Sequence, residues 1–322
     1  MGNYNLNSGY GALLSDKVFN NQATCGKTFL VCPSTHPNFA NLQQLLIPDP
    51  DGTTRIYSTL VAAAAATTAS RNDIIFVAEG HTETFSSSTA ITLSTAGVTI
   101  IGLGVGTLRP TFTLDSVATA RINVTAANVT IKNCIFVANF ADIATCFNLT
   151  TAKDFQVTGC EFKDTSSSLN FLALVTTAST SNAADRLVFT NNSVFGLGTT
   201  AATTPIKAVG VNDRWVINNN FISLAVLNNT ASVLAQSTGK ALTNLEMGGN
   251  KVIRPNTDTS SGGFLITADT TSTGMVHDNY CAHLDVAAAI LATASTGYSF
   301  FNNLADGDAD FSGYVLPAIG TN

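Results

Sequence analysis

Charge is scarce in this chain. Only 36 of its 322 residues are Asp, Glu, Lys or Arg, which is 11%. An average soluble protein carries about 25%. Uncharged polar residues take their place, with 45 Thr and 30 Asn. Disordered chains combine high charge with few apolar residues, and 45% of this chain is apolar, so disorder is excluded. The 24 Gly follow no three-residue period, which excludes a collagen-like helix. No uncharged apolar run approaches the ~18 residues of a membrane-spanning helix. The longest, from Leu60 to Ala66, is far shorter. A net charge of −6 without a basic cluster argues against a nucleic-acid partner. The N-terminus lacks the basic-then-apolar pattern of a signal peptide. Six Cys in such a length make no disulfide framework. Synthesis in a reducing cytoplasm is therefore expected, with no membrane contact and no cofactor.

What the chain does have is a repeat. One segment type recurs: alternating apolar residues, a Gly or Asn, then further apolar residues. Its instances begin at Val98, Val129, Phe155, Leu187, Trp215, Leu245, Met275 and Tyr298. The spacings are 31, 26, 32, 28, 30, 30 and 23, or about 29 on average. An earlier strand-like piece accompanies each unit, as in Ile122 to Thr125, Phe147 to Thr150, Phe171 to Val175, Val233 to Ala235, Phe264 to Thr267 and Ala288 to Ala292. The period of two is that of strands. A unit of three short strands cannot bury its own apolar face, but stacked units can, each pairing its backbone with the coil above and below. The pattern predicts an all-β chain: a single-stranded right-handed parallel β-helix of about nine coils. Leucine-rich repeats have similar periods but need a Leu/Asn consensus that is absent, and propellers need longer repeats.

One column sets the register. After the Gly/Asn bend come Cys134, Cys160, Asn192, Asn220 and Asn250. Three successive Asn at an equivalent bend predict a ladder of amides along the axis. Two positions on, Phe136, Phe162, Val194, Ile222 and Val252 form the expected interior stack.

The ends of a solenoid need covers. Residues 56–68 are expected to form a short capping helix with Ile56, Leu60 and Ala64 on one face. Residues 1–54, rich in Asn, Gly and Pro, are expected to be an irregular N-terminal arm or adaptor. The β-helix domain is assigned to 55–305 and a C-terminal tail to 306–322.

The run from Thr67 to Thr84, followed by Ala96 to Gly104, resembles the start of pectin-lyase-like right-handed β-helix proteins. More narrowly, residues ~25 to 305 are similar to the β-helix proteins of tailed bacteriophages that accompany head-structure proteins. The resemblance implies a fold more than a function, because this fold hosts lyases, hydrolases, adhesins and inert structural proteins.

Enzyme signatures of such folds are missing. Arg109-Pro110 and Arg254-Pro255 lack the second Arg of a pectate-lyase strand. No Asp-Asp, His-Gly or Arg-x-Lys element of galacturonan hydrolases occurs. A glycosidase needs two carboxylates roughly 5 to 10 Å apart. Asp154, Asp185 and Asp213 each precede an anchor strand, so neighbouring coils could bring them together; the plainer account is turn-favouring Asp residues. Asp306, Asp308 and Asp310 have calcium-loop spacing but lack the Gly and the Glu that complete it. His277, Asp278, Cys281 and His283 match no zinc signature, and His277 aligns with interior positions Met247 and Ile217. Gly102, Gly104 and Gly106 precede no helix and make a bend, not a dinucleotide loop. Trp215 occupies an anchor position and is expected in the core, as are the Phe residues at repeat-aligned positions. No catalytic, cofactor-binding or metal residue is assigned.

The expected function is accordingly a non-enzymatic phage virion protein. It would be a homotrimer that decorates or cements the head shell by binding the major capsid protein, assembled in the host cytoplasm. The alternative is a tailspike that binds or cleaves a surface glycan on the host.

Overall fold

The computed structural model describes residues 26–46, 48, 52–198, 203–225, 233–254, 263–266, 271–283, 290–292, 297–306 and 313–314. The chain is a right-handed parallel β-helix. Three sheets run its length: sheet A with 11 strands, sheet B with 10 and sheet C with 8. A typical coil passes from Gln156–Thr158 in sheet A to Glu161–Asp164 in sheet B and Ala173–Thr177 in sheet C. Eight coils place a strand in all three sheets, and a ninth contributes to A and B. Sheet C includes Thr204–Ala208, which the sequence pattern had not marked because Pro205 interrupts it.

The interior is a column of aligned apolar side chains. Phe112, Phe136, Phe162, Val194, Ile222 and Val252 pair in register along sheet B, and all are buried. Their rings stack at 5.7 Å from Phe112 to Phe136 and 5.3 Å from Phe136 to Phe162. Such contacts add about 0.5–1.5 kcal/mol each beyond burial.

The corner between sheets A and B is a two-residue bend. Its first residue is left-handed in seven coils: Asn133, Gly159, Asn191, Asn219, Gly249, Asp278 and Asn302, with φ from 52° to 64°. Asn, Asp and Gly tolerate that region best. The second residue points inward and forms the expected ladder. Asn192, Asn220 and Asn250 are 1% exposed, and the ladder continues through Asn279 and Asn303. Each Asn side chain also gives an N–H to a strand carbonyl, such as Asn250 to Ile217 at 2.7 Å and Asn220 to Phe189 at 2.9 Å. Cys160 sits in the same column, its backbone N–H donating to Asn192 Oδ1 at 2.9 Å. Cys32, Cys134, Cys146, Cys160 and Cys281 are free and buried; burial pushes the Cys281 thiol up to about 12, so it stays an inert packing group.

The boundaries differ from expectation at both ends. The solenoid begins before residue 55: Thr28–Val31, inside the expected arm, pairs with Ile74–Val77 in sheet A. Phe29 and Val31 face the core, while Leu30 and Cys32 face outward. There α1 (Phe39–Leu45) covers them, burying Leu42 and Leu46 against Leu30, Phe76 and Leu103. The capping helix α2 is shorter than expected, Leu60–Ala65. Ile56–Tyr57 is a strand beside Leu30 and Val31, because Thr59 is extended and its hydroxyl caps the helix from Ala62 N–H at 3.2 Å. At the C-terminus, Leu304–Asp306 continues sheet B and Gly313–Tyr314 pairs antiparallel with it. The expected tail therefore contributes an edge cover, a usual protection for an open sheet.

Candidate functional site

Just before sheet A the chain makes a second left-handed bend. Asn128, Asp154, Arg186, Arg214 and Asn244 occupy it in successive coils, with φ from 54° to 59°. Lys153, Asp185, Asp213 and Thr243 precede them. Two of the three candidate carboxylates thus share a column, and Asp154 lies one position further on. The side chains pair between coils. Arg186 donates to both carboxylate oxygens of Asp154, through Nε and Nη2, each at 2.5 Å. Lys153 approaches Asp185 at 3.5 Å, and Asp185 accepts the backbone N–H of Asp213 at 3.1 Å. Asp213 accepts from Thr243 Oγ1 at 2.6 Å, Arg214 Nε at 2.7 Å and Asn244 Nδ2 at 2.8 Å.

These partners decide the chemistry. The Arg186 hydrogen bond holds Asp154 below the usual carboxylate range. Bonds from Thr243 and Asn244, then Arg214, do the same for Asp213. A general acid in a glycosidase needs the opposite shift. The row is an inter-coil clamp.

Among the described residues, one carboxyl is shifted upward. Asp164 ends a sheet B strand at an interior position, and burial raises it to about 6. It accepts backbone N–H bonds from Phe171 at 2.9 Å and Leu197 at 2.7 Å. It ties its own coil's turn to that of the next coil. The alternation Glu161-Phe162-Lys163-Asp164 signalled its inward direction, but the turn spacing gave no hint of its partners.

The other candidates separate. Trp215 is fully buried and donates to Ala184 O at 2.7 Å. Gly102 lies where an added Cβ would meet Asn133 O at 2.1 Å, so the glycine there serves close coil packing. Arg109 pairs with Glu161. His277 is not in the core. Its register partner is Gly248, while Val276 aligns with Met247. Gly274 shifts this coil by one residue relative to the sequence pattern, and one residue exchanges the two faces of a strand. His277 instead stacks on Phe301 at 5.0 Å and bonds Asp278 at 2.7 Å. Asp278 is held low by that bond and one from Asn302. Asp308 and Asp310 lie outside the described residues, as do the side chains of Arg254, His283 and Asp306. Among the described residues, no three His, Cys, Asp or Glu side chains are placed to hold a metal. No helix among them is long and apolar enough to cross a membrane. A groove of about 400 Å³ between Ser70, Asn72, Gly97 and Asn128 has no titratable side chain in its wall.

The outer faces of sheets A and B hold what the sequence reading missed. Several aromatic residues that the sequence reading did not single out point outward. Phe195 aligns with Lys163, and Phe221 with Ser193. Met275, Phe301, Phe195, Leu197 and Leu304 are between 38% and 47% exposed. They lie on sheets A and B and in the turn after Gly196, with Ser223, Lys251, Glu246 and His277 at outward register positions among them; Val105 and Leu108, at 79% and 55%, are exposed before sheet B at the other end. Phe195 and Phe221 lie 5.8 Å apart, and Lys251 Nζ sits 5.6 Å from the Tyr280 ring centroid. Period-two alternation from Val194 and Ile222 marked these positions as outward.

No family model matches the chain, and no curated protein does. Among solved structures, it is similar to an alginate lyase from Paenibacillus sp. str. FPU-7. The identity is 14%, over 79% of this chain and 93% of that one, with a TM-score of 0.48. A likeness of that size carries nothing about activity.

Proposed function

We propose that this protein is a non-enzymatic structural component of a tailed-phage virion. In this reading it is a homotrimer that binds the major capsid protein on the capsid surface and stabilises the head shell. Assembly takes place in the host cytoplasm. The observation that carries the reading is the exposed apolar flank on sheets A and B. Apolar side chains exposed on one flank fit contact with other proteins, and here they sit on a repetitive β-helix. The inter-coil clamp uses its carboxylates for cohesion. The sequence resemblance to head-associated phage β-helices supplies the context.

Analytical ultracentrifugation and co-sedimentation with purified capsid shells test the reading. The wild-type chain should sediment as a trimer and pellet with shells. Phe195→Ser with Phe221→Ser should lose one or both while retaining its thermal transition. A monomer that ignores shells contradicts the proposal.

A second reading is a spike that binds a host glycan. The ring pair Phe195–Phe221 and the Lys251–Tyr280 pair favour it, since exposed rings with a nearby cation can stack on sugar faces. Retention of the wild type on immobilised host polysaccharide, lost in the same double variant, would select this reading.

A further inference from the structure

Sheet C has an outer face unlike the other two. Register pairing aligns Thr92, Asn123, Asn148, Thr176, Lys207 and Ala235 in one column. Their neighbours Ile122, Phe147, Val175 and Ile206 fill the core, so the column faces outward. From Asn123 to Lys207 it rises three coil steps, ~14 Å at about 4.8 Å per step. No strand of sheet C contains an Asp or a Glu.

The hydrogen bonding in this column is one-sided. Asn123 Oδ1 accepts both Arg121 Nε at 3.0 Å and Asn148 Nδ2 at 3.1 Å. Asn123 Nδ2 is used on Ser88 O at 2.7 Å. Next in line, Thr176 Oγ1 is buried without a partner. Lys207, its register neighbour, is half-buried and has no hydrogen bond or ion pair to any described residue. Burial holds its ammonium below the ordinary lysine range. A buried hydroxyl without a partner is unfavourable, and a partly buried cation without an anion is more so. Two adjacent donors that lack acceptors define what would complement them: a ligand rich in anionic oxygen.

We infer that Lys207 and Thr176 form an anion-binding site on the outer face of sheet C, taking a carboxylate or sulfate group, with Asn148 and Arg121 extending the donor strip along the stack. The inference stands apart from the virion reading and uses none of the flank residues. The anion has two possible sources: a free inorganic ion, or an acidic group on a sugar chain lying along the strip.

The experiment is NMR of the full-length protein carrying ¹³C-methylated lysines, titrated with sodium sulfate, galacturonate and tetragalacturonate. The Lys207 resonance, assigned by its loss in Lys207→Met, should shift on titration. Equal affinity for sulfate and tetragalacturonate identifies a free-anion site. Affinity at least tenfold higher for the tetramer than for galacturonate identifies a sugar chain. Thr176→Val should weaken binding about threefold, and Lys207→Met at least tenfold by calorimetry. An unmoved Lys207 resonance with all three probes overturns the inference. So does unchanged affinity in Lys207→Met. Where Lys207→Met folds poorly, Lys207→Arg supplies the same assignment, because it also removes the methylated lysine while keeping a cation.

Discussion

The Oδ1 of Asn250 accepts two bonds from Asn220, one from its backbone N–H at 3.0 Å and one from its side-chain amide at 2.8 Å. The same arrangement recurs between Asn250 and Asn279 and between Asn279 and Asn303. Each amide therefore satisfies a buried bend above it and is satisfied from below. Replacing Asn250 with Ala strands two donors on Asn220 and the carbonyl of Ile217. A stranded buried group costs roughly 1–3 kcal/mol, so the variant should lose about 3 kcal/mol or more in urea denaturation. Loss below 1 kcal/mol would mean that water or backbone relaxation replaces the ladder. Asn218→Ala gives up the Gly248 backbone N–H at 2.7 Å and the bond to Glu246, both partly buried and outside the ladder, and should cost less than Asn250→Ala.

The ladder was legible in the sequence because Asn192, Asn220 and Asn250 recur after a bend that only a few residue types adopt easily. Its extension to Asn279 was hidden by a one-residue slip, because Asp278 and not Asn279 takes the left-handed bend position, and Asn303 follows the bend residue Asn302 in the same way. The coil of Met275 was misaligned for a physical reason: Gly274 has no side chain to mark its face, so the pattern gave no sign of the slip that turned His277 outward. Likewise Thr28–Val31 is too short to show periodicity, and only the presence of sheet A reveals that it belongs there. The acidic row was legible as an edge, but not as a clamp. Its meaning depends on Arg186 reaching Asp154, and Thr243 and Asn244 reaching Asp213, between coils, which spacing alone does not specify.

Glu83 occupies the column that holds Phe112 in the next coil. Its carboxylate accepts Leu60 N–H at 2.7 Å, anchoring α2 over the open N-terminal end. The side chain is 9% exposed. Glu83→Ala should destabilise the fold by about 1–2 kcal/mol, the range of a lost helix cap. Hydrogen exchange should rise first in residues 60–66. Protection unchanged there would show that apolar packing alone holds the helix.

Asp164 gives the protein an unusual pH response. Its folded value of about 6 lies above the ordinary 3.8. The folded state therefore holds the proton more tightly than the unfolded chain does. The unfavourable contribution is absent below pH 3.8, grows between 3.8 and 6, and is complete above 6. That difference corresponds to about 3 kcal/mol. Stability should fall with rising pH across this window, and Asp164→Asn should flatten the slope. An equal slope in the variant would assign the effect elsewhere.

Asp154 and Asp213 act in the opposite direction. Their folded values are lowered by their partners, so their stabilisation is present above about pH 4 and is lost as pH falls further. Arg186→Gln should reduce the loss on acidification, and added salt should reduce the wild-type effect because the pair is partly exposed. If the wild-type acid transition is insensitive to both, the clamp does not contribute to cohesion.

The location of the protein on the particle is the most direct test of the structural reading. Immunogold electron microscopy with antibody to this chain, on particles from its source, should place gold over the head. Gold confined to the tail would contradict head decoration and favour a glycan-binding spike.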